Sequence, residues 1–286
     1  MPNSEKEVVV IYHSDCPDGF SAAYVAWKKF GDTATYVPVF PGEKLVQGLS
    51  GKKVYTIDFC YPLDIMRELV KIAEVVVIDH HISNADSVKL ASESLFDITH
   101  SGSVLAWKYF FPEQEVPVLL RYVEENDLWT YNLPSSKEVT QSLNLRSFDF
   151  QVWDNLVSDF EDEEKRNIYI REGEILIKKM DKVVADLVKD SYLAEFEGYQ
   201  CLVVNSSVYI SQVGHVLSRK NPPVGVIWSV RGGRVTVSLR SDGTVDVSKL
   251  AGKYNGGGHK AAAGFILPNL AEVDKVFKPV GLVSGI

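Results

Sequence analysis

"VVVIDHH", residues 75–81, sets four consecutive β-branched side chains directly before an acid and two imidazoles. An apolar run this short, with no polar alternation, reads as a strand buried on both faces, the form found in parallel sheets covered by helices. Residues 8–12 and 54–57 repeat that form. Helix-length segments at 21–29 and 63–73 separate the runs, the second introduced by Pro62 near a helix start. The βαβαβ pattern predicts an α/β fold with a doubly wound, mainly parallel sheet.

Each run ends in chemistry. The first gives way to His13, the second to Asp58 and the third to Asp79-His80-His81. In an open parallel sheet the carboxyl ends of the strands share one edge, where such folds place their ligands. The loop "HSDCPDG", residues 13–19, adds Asp15, Cys16 and Asp18 at that edge. Asp15 or Asp18 taken alone reads as a helix cap. Several carboxylates converging without a cation raise one another's pKa, and oxygen donors with an imidazole suit Mn²⁺ or Mg²⁺. Cys16 and Cys60 flank acids without the His or Asn pattern of a thiol nucleophile, so they read as structural, as do His100 and His215.

Residues 101–110 and 116–129 read as helices, the first with Ser101 as cap and the second carrying Asp127 near its end. Residues 161–189 are strongly charged with apolar positions at helical spacing, which predicts one or two long helices joining two domains. Strand-like stretches follow at 201–204, 224–230 and 234–239, the last two joined by a turn at Arg231-Gly232-Gly233. A helix-like segment at 247–254 precedes "NGGGHKAAAG", residues 255–264, where the glycines read as backbone open to a phosphate at the start of a helix over 260–263. The expected division is a sheet domain over 1–160, a helical linker over 161–191 and a smaller α/β domain over 192–286.

The 286 residues carry a formal charge of −8, which argues against a broad basic surface for long duplex nucleic acid. No apolar stretch approaches the roughly 20 residues that span a bilayer, and the start MPNSEKE shows no basic leader. Three scattered cysteines offer no disulfide framework. These features together lead us to expect a cytoplasmic protein with no membrane partner.

Asp79-His80-His81 after its apolar run resembles the signature of the DHH phosphoesterase superfamily, and the loop at 13–19, Asp58 and Asp127 follow that family's motif order. Residues 237–265 resemble the accompanying DHHA1 domain, whose marker is the GGGH at Gly256, Gly257, Gly258 and His259. The resemblance implies two divalent cations, Mn²⁺ or alternatively Mg²⁺, held by His13, Asp18, Asp58, His80 and Asp127, with Asp15 a further candidate. It implies that a water activated by both cations attacks a phosphodiester, with Asp79 and His81 as catalytic groups and His81 toward the phosphate. Arg240, Gly256, Gly257, Gly258 and His259 would grip the substrate in a cleft between the domains. With no added oligonucleotide-binding module, the expected substrate is a short single-stranded oligonucleotide or dinucleotide cut to mononucleotides. Alternatives within the chemistry are a 3′-phosphoadenosine 5′-phosphate phosphatase and a cyclic dinucleotide phosphodiesterase; outside it, a catalytically inactive nucleotide-binding regulator. A homodimer is compatible with the sequence. The chain departs from the common Asp-x-Asp loop, because Asp15-Cys16-Pro17-Asp18 is one residue longer.

Overall fold

The computed structural model describes residues 7–280, so the start MPNSEKE, apart from Glu7, and the last six residues of the expected second domain lie outside the described residues. The chain divides into two units, residues 1–177 and 178–286.

The first unit is built on five strands: β1 (Val8–His13), β2 (Ala34–Val39), β3 (Lys53–Ile57), β4 (Glu74–Asp79) and β5 (Glu93–Phe96). They run parallel throughout, in the order β2-β1-β3-β4-β5. Alternate residues of the central strands enter different cores. Val10, Tyr55, Ile57, Val76 and Ile78 face one layer, while Val9, Ile11, Val54, Val75 and Val77 face the other. Since side chains alternate across a strand, burial on both faces requires an unbroken apolar run, which is what residues 75–78 display. The edge strands carry no such run: β2 includes Pro38 and exposed positions, and β5 is half exposed. An edge strand has one free side, so Pro and polar residues are tolerated there.

Among the described residues eight α-helices belong to or begin in this unit: α1 (Pro17–Phe30), α2 (Leu63–Ile72), α3 (Ala85–Val88), α4 (Gly102–Phe110), α5 (Val118–Asp127), α6 (Ser136–Leu143), α7 (Phe150–Glu161) and α8 (Glu163–Lys189). Helix α1 packs along α4, and its Ala22, Ala23 and Ala26 are fully buried. Helix α1 starts at Pro17, a full turn earlier than its apolar pattern predicts, because Pro is preorganised for the first helical position. Ser101 caps α4 as expected, accepting from the Val104 N–H. Asp149 caps α7 in the same way through Val152, and α7 contributes the fully buried Trp153 and Phe160. The charged stretch forms one 27-residue helix, α8, and the division between the units falls within it.

The second unit contains β6 (Tyr192–Phe196), β7 (Tyr199–Asn205), α9 (Ile210–Lys220), β8 (Val224–Arg231), β9 (Arg234–Ser241), α10 (Val247–Gly252), β10 (Gly257–His259), β11 (Ala262–Leu267), α11 (Val273–Val276) and β12 (Lys278–Pro279). Its sheet runs β10-β11-β9-β8-β7-β6-β12, with only β7 and β8 parallel. Arg231 pairs with Arg234, so Gly232-Gly233 form a two-residue turn at positive φ. The helix expected at 260–263 is absent. That stretch turns from β10 into β11, where Ala263 pairs with Leu239 and is buried. Sheet pairing overrides alanine's helix propensity here, as tertiary context commonly does.

Candidate metal centre

The parallel sheet delivers its groups as the topology requires. His13 closes β1, Asp58 follows β3, and Asp79 closes β4 with His80 and His81 after it. Asp18 comes from the first turn of α1 and Asp127 from the last turn of α5.

Asp58 lies at the middle of this group, 2% exposed, with its backbone at φ +52°. Its carboxylate meets His13 Nδ1 at 3.3 Å and His80 Nε2 at 3.1 Å. His80 Nε2 also stands 3.5 Å from Asp127 Oδ2. Asp18 is 1% exposed and accepts from the Gly102 N–H at 2.7 Å and the Ser103 N–H at 3.1 Å, so it caps the start of α4. Two glycines permit this crowding. A Cβ on Gly19 would lie 2.2 Å from the His13 carbonyl oxygen, and one on Gly102 would lie 2.4 Å from Asp58 Cβ.

Asp79, expected among the catalytic groups, is hydrogen-bonded to its own neighbours. It is fully buried, and its carboxylate accepts from the His80 N–H at 2.8 Å, the His81 N–H at 3.2 Å, His81 Nδ1 at 2.7 Å and Asn84 Nδ2 at 2.6 Å. With four donors on its two oxygens it fixes the His81 ring. His81 keeps 41% of its side chain exposed, with Nε2 as the ring nitrogen that Asp79 does not engage.

Charge follows from this geometry. The Asp58 hydrogen bond, with help from Cys16, lifts His13 to about 10. Burial opposes ionisation of His80, yet the Asp58 bond and the charges of Asp58, Asp127 and Asp18 lift it to about 9. Burial, then the charges of Asp58 and Asp127, push Asp18 up to about 8. Burial and the Asp58 charge also raise Asp127. Asp58 stays below the usual carboxylate range because bonds from His13 and His80 outweigh its own burial. Protons thus compensate a concentration of acids that would otherwise repel one another.

The donor atoms form three overlapping sets, each within 4.8 Å: His13, Cys16 and Asp58; Asp58, His80 and His81; Asp18, His80 and Asp127. Asp58 and His80 each belong to two sets. Oxygen donors with imidazole nitrogen in such sets are of the kind that would suit divalent cations, whose charge could replace the compensation that protons supply.

The family model described as the DHHA1 domain matches residues 203–281, which contain the GGGH stretch. Oligoribonuclease NrnB of Bacillus subtilis is 40% identical over 63 residues, 22% of this chain and 16% of that protein. An uncharacterized protein, R106, of Acanthamoeba polyphaga mimivirus is 27% identical over 92% of this chain and 68% of its own length. The solved structure of PggH, a pGpG-specific phosphodiesterase from Vibrio cholerae, superposes with a TM-score of 0.55 at 13% identity, covering 95% of this chain and 96% of its own. Residues 203–281 thus match the DHHA1 domain, and the chain shares the fold of PggH.

Within this chain the structure brings together His13, Asp18, Asp58, His80, His81 and Asp127, all expected from sequence. Asp15 is not among them. It is exposed at φ +54°, and no donor set includes it. Because α1 begins at Pro17, the residue left facing His13 and Asp58 is Cys16, which the sequence reading set aside as structural. Asn84 and Gly102 were also missed. Asn84 lies in a one-turn 3₁₀ segment after the histidines, and the only trace of Gly102 was the small-residue run Ser101-Gly102-Ser103 at the start of α4.

In the DHHA1 unit, Arg240 and Gly256, Gly257 and Gly258 line a groove of about 690 Å³ beside Tyr254 and Phe265. The glycines sit at a strand pair, so the groove presents a sheet edge and not a helix start. His259 is exposed and lies outside that lining. Arg240 instead donates to Ser211 Oγ at 2.9 Å and to the Leu239 carbonyl. Among the described residues no helix is long and apolar enough to cross a membrane.

The protonation pattern gives a testable sign. His13 and His80 are raised above their ordinary 6.5, and Asp18 above 3.8, so the folded metal-free chain binds more protons than the unfolded chain. Their stabilisation is present at low pH and lost as pH rises through these folded values. Asp58 acts oppositely, but its contribution is complete above the ordinary carboxylate range and does not change in this window. Chelator-treated protein should therefore melt at progressively lower temperature between about pH 6.5 and 9. Saturating Mn²⁺ should flatten the profile, since ligands must lose protons to bind. Thermal melts across pH check this; a metal-free profile that rises with pH contradicts it.

Proposed function

We propose that this chain hydrolyses the phosphodiester bonds of short oligonucleotides or dinucleotides to mononucleotides, with two divalent cations, Mn²⁺ foremost, at the centre described above. The observation that carries this reading is the buried Asp58 shared between neighbouring donor sets. His13 would hold one cation with Asp58, and Asp18, His80 and Asp127 would surround the other. When bound, such a pair neutralises phosphoryl oxygens and lowers the pKa of water, which makes a protein nucleophile unnecessary.

The chain's own groups do the rest. His81, its Nδ1 tied to Asp79 and its pKa raised by that bond, presents Nε2 as a donor to a phosphoryl oxygen or to the leaving oxygen. Asn84 and Asp79 position that ring and need not touch substrate. In the second unit Arg240 and the backbone of the glycine strand suit a phosphate or the nucleotide attached to it. The names of oligoribonuclease NrnB and of PggH, which is pGpG-specific, agree with short substrates.

A direct test incubates the full chain with Mn²⁺ and labelled RNA and DNA from dinucleotides to long single strands, together with 3′-phosphoadenosine 5′-phosphate, cyclic dinucleotides and pyrophosphate. The expected result is fastest turnover of dinucleotides and short oligonucleotides, with mononucleotides as products. Preference for long strands, or affinity for nucleotides without any turnover, refutes the assignment.

A further inference from the structure

We propose that Cys16 is a sulfur ligand of the cation position formed with His13 and Asp58, so that this position favours a borderline cation such as Zn²⁺, Co²⁺ or Fe²⁺ over Mn²⁺. The inference rests on the two-cation reading above and changes its chemistry at one of the two positions.

Three observations meet at this residue. The Cys16 Sγ, a His13 ring nitrogen and an Asp58 carboxylate oxygen all lie within 4.8 Å of one another. Cys16 also stands at the N-cap of α1, a position that normally selects Ser, Thr, Asp or Asn, and its side chain makes no capping hydrogen bond there. Instead it bonds with His13. Finally, the acid one residue earlier is turned out to solvent, so a carboxylate that could have given an oxygen-rich set is replaced by sulfur.

The other two cysteines behave differently. Cys60 and Cys201 are buried and donate to the Tyr61 and Ala194 carbonyls, as small apolar residues of a core do. Only Cys16 is partly open and faces an imidazole and a carboxylate.

A nitrogen, sulfur and oxygen set is softer than the neighbouring set of Asp18, His80 and Asp127, and softness with ligand type selects the metal. Binding there takes the Cys16 thiolate, and the thiol proton leaves to solvent.

Cobalt reports this directly. The full chain, stripped with chelator, is titrated with Co²⁺ and followed by absorption, alongside Cys16→Ser and Cys16→Asp, each checked for folding by circular dichroism. The expected result is a near-ultraviolet sulfur-to-cobalt charge-transfer band in the parent chain. That band disappears in Cys16→Ser while visible cobalt bands persist, and Cys16→Asp shifts the Zn²⁺ to Mn²⁺ affinity ratio toward Mn²⁺ on the order of tenfold or more. Cobalt uptake without the charge-transfer band, or a band that survives in Cys16→Ser, overturns the sulfur ligand and leaves the cation centre standing. No cobalt uptake by the parent chain overturns both.

Discussion

Replacing Asp58 by asparagine is expected to lower the proposed Mn²⁺-supported hydrolysis by about a thousandfold, or roughly 4 kcal/mol of transition-state stabilisation. The substitution keeps the volume of a side chain that is 2% exposed and packed against Gly102, so the sheet edge retains its shape. What it removes is the charge that His13 and His80 both face, and the one carboxylate common to neighbouring donor sets. The effect belongs to cation retention and turnover, not to folding. Steady-state kinetics with Mn²⁺, alongside circular dichroism, checks it, and a folded variant keeping more than about a tenth of the parent rate contradicts the role given to Asp58.

Gly102→Ala is the second large effect, and its sign opposes the secondary structure. Alanine exceeds glycine in helix propensity by about 1 kcal/mol, so α4 considered alone would gain. The added Cβ would instead stand 2.4 Å from Asp58 Cβ and 2.8 Å from Asp58 Oδ1. Neither partner can retreat, since Asp58 is pinned by His13 and His80, and the Gly102 N–H is held by Asp18. The centre has to open by an amount on the order of 1 Å, a misplacement that costs about a hundredfold in rate. Melting temperature should fall and kcat/KM drop about a hundredfold; a stabilised, fully active variant refutes the steric account.

Why part of this site could be read from the sequence and part could not follows from the fold's geometry. Central strands buried on both faces declare themselves as apolar runs, and a parallel sheet then fixes where His13, Asp58 and residues 79–81 converge. Asp127 and Asp18 followed from family resemblance, since a helix-borne acid carries no local mark of what it faces. The edge strands β2 and β5 escaped because an edge needs no apolar alternation. That Asp15 lies exposed while Cys16 lies beside His13 and Asp58 hangs on one backbone conformation, φ +54° at Asp15, and on α1 starting at Pro17. The family resemblance implied a catalytic part for Asp79. In the folded chain both of its oxygens accept from His80, His81 and Asn84, a pattern that depends on the turn after β4 and leaves no local mark in the sequence. In the second unit the alanines at 261–263 suggested a helix, and pairing with β9 made a strand of them instead.

The central claim is that hydrolysis depends on two divalent cations held by the groups around Asp58. Calorimetric titration of chelator-stripped protein with Mn²⁺, paired with turnover of a dinucleotide at each point, tests it most directly. The account predicts two cations bound per chain and activity that rises from zero only as they bind. Full hydrolysis in the stripped protein would contradict it.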